Sequence, residues 1–452
     1  MKAKIKKKGG SKKVNNSKDT LILSGGKPLK GEVVVRGAKN SIPKIMVAAL
    51  LTEEACLLRN IADIDDVRVV QAMIEALGGK FVFNVKEGTV CITSKNLKTV
   101  APEALHKIAG KSRIPILFAG PLLHRLKEAL VPELGGCNIG SRPVNFHLNA
   151  LTELGAEIKD VPDGYYMTAV KLVGTKIHLE YPSVGATEQA LLAAVLAEGK
   201  TELTNAAIEP EVMDLIAVLQ KMGAIISVDT DRAITVVGVK ELHGFEHTPI
   251  TDRIEVASWA CAAFATNGKI FVRNARQGEM MTFLNKYRQI GGEFNITDKG
   301  IEFWRGKELK AIALETDVHP GFMTDWQQPF TVALTQLPGA SIVHETVYEN
   351  RFGYIDALNK MGAHIQLFKE CLGGRPCRFG KQNHLHSAVV TGPTALTGAE
   401  LTIPNLRAGF SYIVAALAAD GESTLHGIGL IRRGYENFED KLKNLGVKIK
   451  TK

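Results

Sequence analysis

Long apolar runs are missing from this sequence. A bilayer-crossing helix needs roughly 18 consecutive apolar residues. The longest apolar stretches, such as Ile114 to Leu123, are shorter and carry proline and glycine. No membrane span is expected. Paired cysteines are missing too: the six cysteines (56, 91, 137, 261, 371, 377) include no CxxC pair. The amino-terminal segment has no apolar core of the kind a secretory signal carries. Free thiols in a reducing compartment, and a cytoplasmic location, are the expectation. Acidic residues are scarce in one place: the first twenty residues hold eight lysines and a single acid, Asp19. That segment accounts for seven of the nine net positive charges, so the basic balance belongs to residues 1–19 and not to the body. A Lys/Gly/Ser/Asn arm of this kind reads as disordered and solvated. It is not read as a nucleic-acid binder. Tethering to RNA, a membrane surface or a partner is the sharper alternative.

What is present is ordinary for a globular chain, with 45% hydrophobic and 23% charged residues over 452 positions. That length suggests two domains of about 200 residues each. An internal repeat organises them. A tripeptide recurs six times: Leu77-Gly78-Gly79, Leu154-Gly155-Ala156, Met222-Gly223-Ala224, Ile290-Gly291-Gly292, Met361-Gly362-Ala363 and Leu445-Gly446-Val447. Each copy ends an amphipathic helical stretch and feeds a strand-like segment, as expected of glycine just past a helix end. Ala-rich helices precede a glycine turn and a strand in the same phase, at Ala193 to Asn205, Ala262 to Asn274 and Ala415 to Gly427. The last copy stops early, and Leu21 to Leu29 shows the strand pattern that it lacks. The expected plan is α/β (α+β), with two domains of three units each. Residues 39–250 form one domain; residues 20–38 plus 251–452 form the other. Two crossings near Gly37 and Pro249 frame a cleft, a setting for domain closure.

Polar residues gather where a strand gives way to the next Ala-rich helix: Lys39-Asn40, Arg113, Ser183-Val184-Gly185, Asp252-Arg253, Asp325 and Arg407. Equivalent positions in a repeat point to equivalent places in space. Helix N-termini favour anions, and arginine suits phosphate and carboxylate through its planar fork. A site for a strongly anionic ligand is expected. Asp252 and Asp325 among these cations should stay ionised, with Asp325 available as a general base or orienting group. N-capping is the plainer reading of any one of them. A second constellation is Leu134 to Val144, with three glycines, Cys137 and Arg142. A thiol near an arginine is a candidate acid or nucleophile, whereas a buried inert cysteine is the plain alternative. Glu345 to Phe352 and Arg432 to Glu436 are weaker signals.

Together these motifs resemble the UDP-N-acetylglucosamine 1-carboxyvinyltransferases, enolpyruvyl transferases of peptidoglycan precursor synthesis. The resemblance covers the chain after about residue 20. It is most specific at Gly37 to Asn40, the Cys137 loop through Arg142-Pro143-Val144, Pro182 to Thr187, Thr324-Asp325 and Glu345 to Phe352. It implies an inside-out α/β barrel in each domain, built from three βαβαββ units around a central cleft. It implies transfer of the enolpyruvyl group of phosphoenolpyruvate to the 3′-hydroxyl of UDP-N-acetylglucosamine. That step opens peptidoglycan synthesis and so bears on cell wall, cell shape and cell division.

By motif, Cys137 would protonate the methylene carbon and Asp325 would hold or deprotonate the hydroxyl. Lys39, Arg142, Arg407 and Arg433 would bind phosphoenolpyruvate, with Lys39 and Arg433 also catalytic. Asn40, Arg113, Arg142, Pro143, Val144, Asn145, Phe146, Tyr181, Pro182, Ser183, Val184, Asp252, Val347 and Arg351 would complete the substrate site. The resemblance implies no cofactor and no metal. Three positions depart from the family pattern, where Asn405, Asn145 and Arg432 each stand for a usual Asp. Residues 369–387 look like an insertion, Cys371 to Cys377 followed by His384 and His386; a simple hairpin is the plainer reading and metal binding the sharper alternative, because CxxxxxC is poor zinc spacing. A divergent paralogue with another acceptor, a non-catalytic UDP-sugar-binding regulator and the shikimate 3-phosphate enzyme are the competing readings.

Overall fold

The computed structural model describes residues 19–109, 112–132, 144–162, 164–375 and 377–452. Six small sheets occur among them, five of four strands and one of three. The five four-stranded sheets share one plan. In one example Lys176–His178 and Lys200–Thr204 run parallel. Ile234–Val237 then pairs antiparallel with Lys200–Thr204, and Ile225–Val228 with Ile234–Val237. A buried helix connects the parallel strands, as parallel pairing requires.

Six central helices occupy corresponding places: α1 (Ile42–Ala48), α2 (Ala119–Leu126), α3 (Val184–Ala194), α4 (Arg253–Ala265), α5 (Thr324–Leu334) and α6 (Leu406–Ala418). They are apolar around most of their circumference, so they are stable only when surrounded. Every residue of α1 and α4 is buried. In the unit array the helices lie inside and the sheets outside; α4, α5 and α6 pack mutually. This is the mixed α/β, inside-out arrangement that the resemblance implies.

The repeat glycines have a clear cause. Gly78, Gly155, Gly223, Gly291, Gly362 and Gly446 all sit at φ between +82° and +103°, where a side chain is strained. The following residue donates back into the last turn, as in Gly79 N–H to the Ile74 carbonyl (2.9 Å) and Ala224 N–H to that of Leu219 (2.9 Å). This satisfies carbonyls that the helix end leaves open.

Two hydrophobic cores organise the packing. One draws on Leu21 to Val35 and Ile254 to Val447, the other on Ile42 to Phe245. Thr20–Ser24 lies between Glu422–His426 and Ile449–Thr451, antiparallel to both. The chain also exchanges strands at each crossing. Lys30–Val34 leads into α1 but pairs with Lys269–Arg273, next to α4. Glu246–His247 leads into α4 but pairs with Cys56–Leu58, next to α1. The crossings run side by side through an antiparallel bridge from Gly37 to Thr251. Ala38 N–H donates to the Ile250 carbonyl (2.8 Å) and Asp252 N–H to that of Arg36 (3.0 Å). A Cβ on Gly37 would stand 2.9 Å from the Asn60 carbonyl oxygen, so a side chain there would crowd the loop that follows Cys56–Leu58.

No helix among the described residues is long and apolar enough to cross a membrane.

Candidate active site

The strand-to-helix junctions come together beside the crossings. Asp252 caps α4: one carboxylate oxygen accepts from Ile254 N–H (2.9 Å) and Glu255 N–H (3.0 Å). Its other oxygen accepts from Lys39 N–H at 3.0 Å. The capping reading of that residue therefore holds, and the same carboxylate ties the helix to the opposite crossing. Ser183 caps α3, accepting from Ala186 N–H at 3.4 Å. Asn405 caps α6, accepting from Ala408 N–H at 3.1 Å. An amide oxygen serves a cap as well as a carboxylate does, so this departure from the family pattern leaves the helix entry intact. Asp325 differs: it is the second residue of α5, whose cap position is Met323.

Two carboxylates, Asp66 buried and Asp325 half-buried, each gather a pair of cations. Asp66, in the first turn of helix Asp65–Ala76, meets Lys39 Nζ at 2.8 Å and Arg433 Nη2 at 3.6 Å. Burial pushes the Asp66 carboxyl up, but Lys39 and Arg433 outweigh it and the net shift is downward. Asp325 pairs with Arg351 and, at 3.3 Å, with Arg407 Nε. Burial alone would lower the Arg407 guanidinium; Asp325 reverses that and leaves it raised. The Arg407 guanidinium lies 5.7 Å from the Tyr435 ring centre, and Tyr435 reaches Ser258 on α4 (3.2 Å). Thr324, next to Asp325, donates to the buried Glu345 at 2.9 Å. Burial raises the Glu345 carboxyl against Arg351 and the N–H groups of Val347 and Tyr348.

Further along, Tyr181 lies under Arg378, 4.3 Å from guanidinium to ring centre, and burial raises its phenol. Arg378 also donates to the Val347 carbonyl. Val184 opens α3 and Pro182 is half-buried beside it. Arg113 precedes the 3-10 turn Ile114–Phe118, and Asn40 accepts from Lys44 through its carbonyl. Val144 and Phe146 are half-buried, and Asn145 is exposed at the start of helix Asn145–Glu153. Arg432 turns to Glu439 (2.6 Å) rather than to the cluster. Cys137, Arg142 and Pro143 lie outside the described residues.

Three participants were not among the candidates from sequence. Asp66 holds Lys39 and Arg433; its only signal was an acidic pair opening a helix soon after Gly37 to Asn40. Glu211 binds Arg253 through both oxygens at 3.0 Å, between the two cores. Arg378 comes from the insertion and carried no signal.

The overall fold is that of the enolpyruvyl transferases. It superposes on the enolpyruvyl transferase NikO from Streptomyces tendae with a TM-score of 0.84 at 22% identity, over 96% of this chain and 98% of that one. An EPSP synthase from Acinetobacter baumannii follows at a TM-score of 0.72 and 17% identity, over 96% of this chain and 100% of the other. Residues 23–442 match the EPSP synthase (3-phosphoshikimate 1-carboxyvinyltransferase) family model. The UDP-N-acetylglucosamine 1-carboxyvinyltransferase of Protochlamydia amoebophila is 50% identical over 95% of this chain and 94% of its own length. That of Chlamydia abortus is 47% identical over 94% and 96%, and that of Gluconobacter oxydans 38% over 95% and 99%. The chain therefore belongs to the UDP-N-acetylglucosamine 1-carboxyvinyltransferase family of enolpyruvyl transferases.

Proposed function

We propose that this enzyme transfers the enolpyruvyl group of phosphoenolpyruvate to the 3′-hydroxyl of UDP-N-acetylglucosamine, releasing phosphate, as the first committed step of peptidoglycan precursor synthesis in the cytoplasm. The observation that carries it is the 50% identity to a relative of that activity over 95% of the chain. The gathering of Lys39, Arg433, Arg407 and Arg351 around two carboxylates supports it chemically. Phosphoenolpyruvate and a UDP-sugar are both polyanions, and side-chain cations neutralise them without a metal.

In the proposed reaction the sugar oxygen bonds to C2 of phosphoenolpyruvate while C3 takes a proton from Cys137. The 3′-hydroxyl gives up its proton toward Asp325. C2 then expels phosphate, C3 loses a proton, and the enol ether remains. Lys39, Arg142, Arg407 and Arg433 would hold the phosphate and carboxylate. Asn40, Arg113, Val144 to Phe146, Tyr181 to Val184, Asp252, Val347 and Arg351, with Arg142 and Pro143, would line the rest of the site. Asp66 would hold Lys39 and Arg433 in place until phosphoenolpyruvate arrives. Residues 39–250 and the remaining body, each with its own core, would close on the substrates about the paired crossings.

Phosphate release from phosphoenolpyruvate, with UDP-N-acetylglucosamine added or omitted and shikimate 3-phosphate in parallel, tests the proposal. Release that requires the UDP-sugar is expected. Release with shikimate 3-phosphate alone would favour the other acceptor, the one named in the family model. Asp325→Ala and Cys137→Ser should each lower turnover by at least about 100-fold with the fold retained. Wild-type turnover from either variant would remove that residue from the mechanism.

A further inference from the structure

Away from the cleft, the connection between strands His364–Phe368 and Ser387–Gly392 folds back onto its own sheet. There it brings His344, Cys371, Cys377 and His386 together, with one ligand atom of each within 4.8 Å of all the others. Both histidines are buried. Their tautomers follow from their partners. His386 Nδ1 faces the His384 carbonyl at 2.9 Å; a carbonyl only accepts, so Nδ1 carries the hydrogen. Its Nε2 lone pair then faces Cys371 Sγ at 3.4 Å. Ser387 Oγ donates to the Glu370 carbonyl (2.7 Å) and accepts from Leu372 N–H (3.2 Å). Its remaining lone pair accepts from His344 Nδ1–H at 2.8 Å. His344 Nε2 is thus a lone pair too, fully buried and without a hydrogen-bond partner among the described residues.

A buried acceptor left open costs stability unless something binds it. Two thiols and two imidazole lone pairs converging on one point, with both rings oriented through Nδ1–H, is the donor set of a structural tetrahedral zinc ion. Zinc bonds of about 2.0–2.3 Å place ligand atoms roughly 3.3–3.8 Å apart, so only a small contraction is needed. Two glycines let the connection approach the ligands closely. A Cβ on Gly373 would lie 2.4 Å from His344 Cδ2, and one on Gly380 would lie 2.9 Å from Cys371 Sγ. Phe379 N–H points at Cys377 Sγ (3.3 Å), as backbone donors do toward bound thiolates.

We propose that His344, Cys371, Cys377 and His386 bind one zinc ion, which fastens the 369–387 connection and carries Arg378 to the cleft. The ion would bind as Zn²⁺ with two thiolates and two neutral imidazoles, releasing two thiol protons. Arg378 follows Cys377 directly and is the residue that reaches Tyr181 and the Val347 carbonyl. Glu345 N–H, at the start of the Val347 segment, donates to the His386 carbonyl at 2.8 Å, a second link from the metal ligands to the cleft. This role for Arg378 rests on Tyr181 and Val347 lining the acceptor site; the zinc site itself does not.

From sequence Cys371, Cys377 and His386 carried only a lesser metal reading, because the cysteines stand too far apart for a usual pair and the fourth ligand, His344, comes from a different strand.

Full-length protein produced with zinc and dialysed against a weak chelator should retain one zinc per chain by elemental analysis. Cys371→Ser and His386→Gln should each lower that content at least tenfold. Cobalt substitution of the wild type guards against misfolded variants: thiolate-to-cobalt absorption with tetrahedral visible bands is expected. No retained zinc and no such cobalt spectrum would overturn the site. So would a native Cys371–Cys377 disulfide, found by thiol titration under denaturing conditions without reductant. For the linkage, Arg378→Ala with full zinc should raise KM for the UDP-sugar about tenfold and leave KM for phosphoenolpyruvate unchanged. Unchanged KM for both, in an active enzyme, would leave zinc without a role at the cleft. Inactivity of the wild type would instead sink the acceptor reading and not the zinc.

Discussion

The two cores share one plan but are filled differently. All three tryptophans, 259, 304 and 326, belong to the half made of 20–38 and 251–452. There Phe283 stands within 5.5–6.3 Å, centre to centre, of Tyr287, Phe322, Trp326 and Phe330. The core of Ile42 to Phe245 is mainly aliphatic, with Phe118 and Phe245 its buried aromatics. It borders an apolar pocket of about 370 Å³, partly open to solvent, whose inner wall is Met73, Leu105, Leu122 and Ala129. A repeat therefore fixes where elements lie but not how tightly they pack. The aromatic half presents Asp325, Arg351 and Arg407 to the cleft from a dense support. The aliphatic half presents Lys39 and Asp66 from a looser one.

The largest effect should separate the cores directly. Phe283→Ala deletes a ring buried on all sides and should cost about 3–5 kcal/mol. Leu105→Ala faces space that already lacks partner atoms, so its cost should fall near the lower end, about 2 kcal/mol. Urea unfolding followed by tryptophan fluorescence reports the aromatic half, and far-ultraviolet circular dichroism reports both. Equal losses for the two variants would abolish the distinction. Separate midpoints by the two probes would sharpen it, showing that the cores unfold independently.

Buried charge separates the cores as well. Glu255 on α4 is better served: Lys441 Nζ lies at 2.6 Å and Trp259 Nε1 donates at 3.0 Å, both to one carboxylate oxygen, although burial still raises the carboxyl. Glu188 on α3 has Lys44 at 3.3 Å but no hydrogen bond to either oxygen among the described residues. Burial pushes the Glu188 carboxyl up to about 7, against the pull of Lys44. The unfolded chain, with its carboxyl near 4.5, then holds fewer protons than the folded one between pH 4.5 and 7. Stability contributed by this group must fall as pH rises through that window and level off above it. Subtracting a Glu188→Gln stability curve from the wild-type curve should leave a drop of up to about 3 kcal/mol across the window. A flat difference would mean that Glu188 is as well served as Glu255.

The legible parts of the molecule were those that local physics dictates. Glycine at each helix end was readable because only glycine takes φ near +90° cheaply. The junctions were readable because the repeat puts them in register, which is how Lys39, Asp252, Asp325 and Arg407 surfaced as candidates. Which strands Lys30–Val34 and Glu246–His247 pair with was not readable, since neither segment differs in pattern from its neighbours. Asp66 was missed because its partners lie across the crossings, and partner identity is a tertiary fact. His344 was missed for the same reason: nothing near it in sequence announces Cys371.

The smallest effect tests the cavity itself. Ala129 is buried on strand Glu128–Pro132 at the cavity wall. Ala129→Val adds two methyl groups, and a β-branched residue suits a strand. If the space accepts them, stability should rise by about 1 kcal/mol, near the value of one buried methylene, seen as a higher urea midpoint at unchanged slope. Overpacking would instead cost about 1–3 kcal/mol and would mean that the aliphatic core is as full as the aromatic one. A gain would locate the looseness of the 39–250 half in this cavity, and the same substitution should leave phosphate release untouched because the cleft residues named above do not line it.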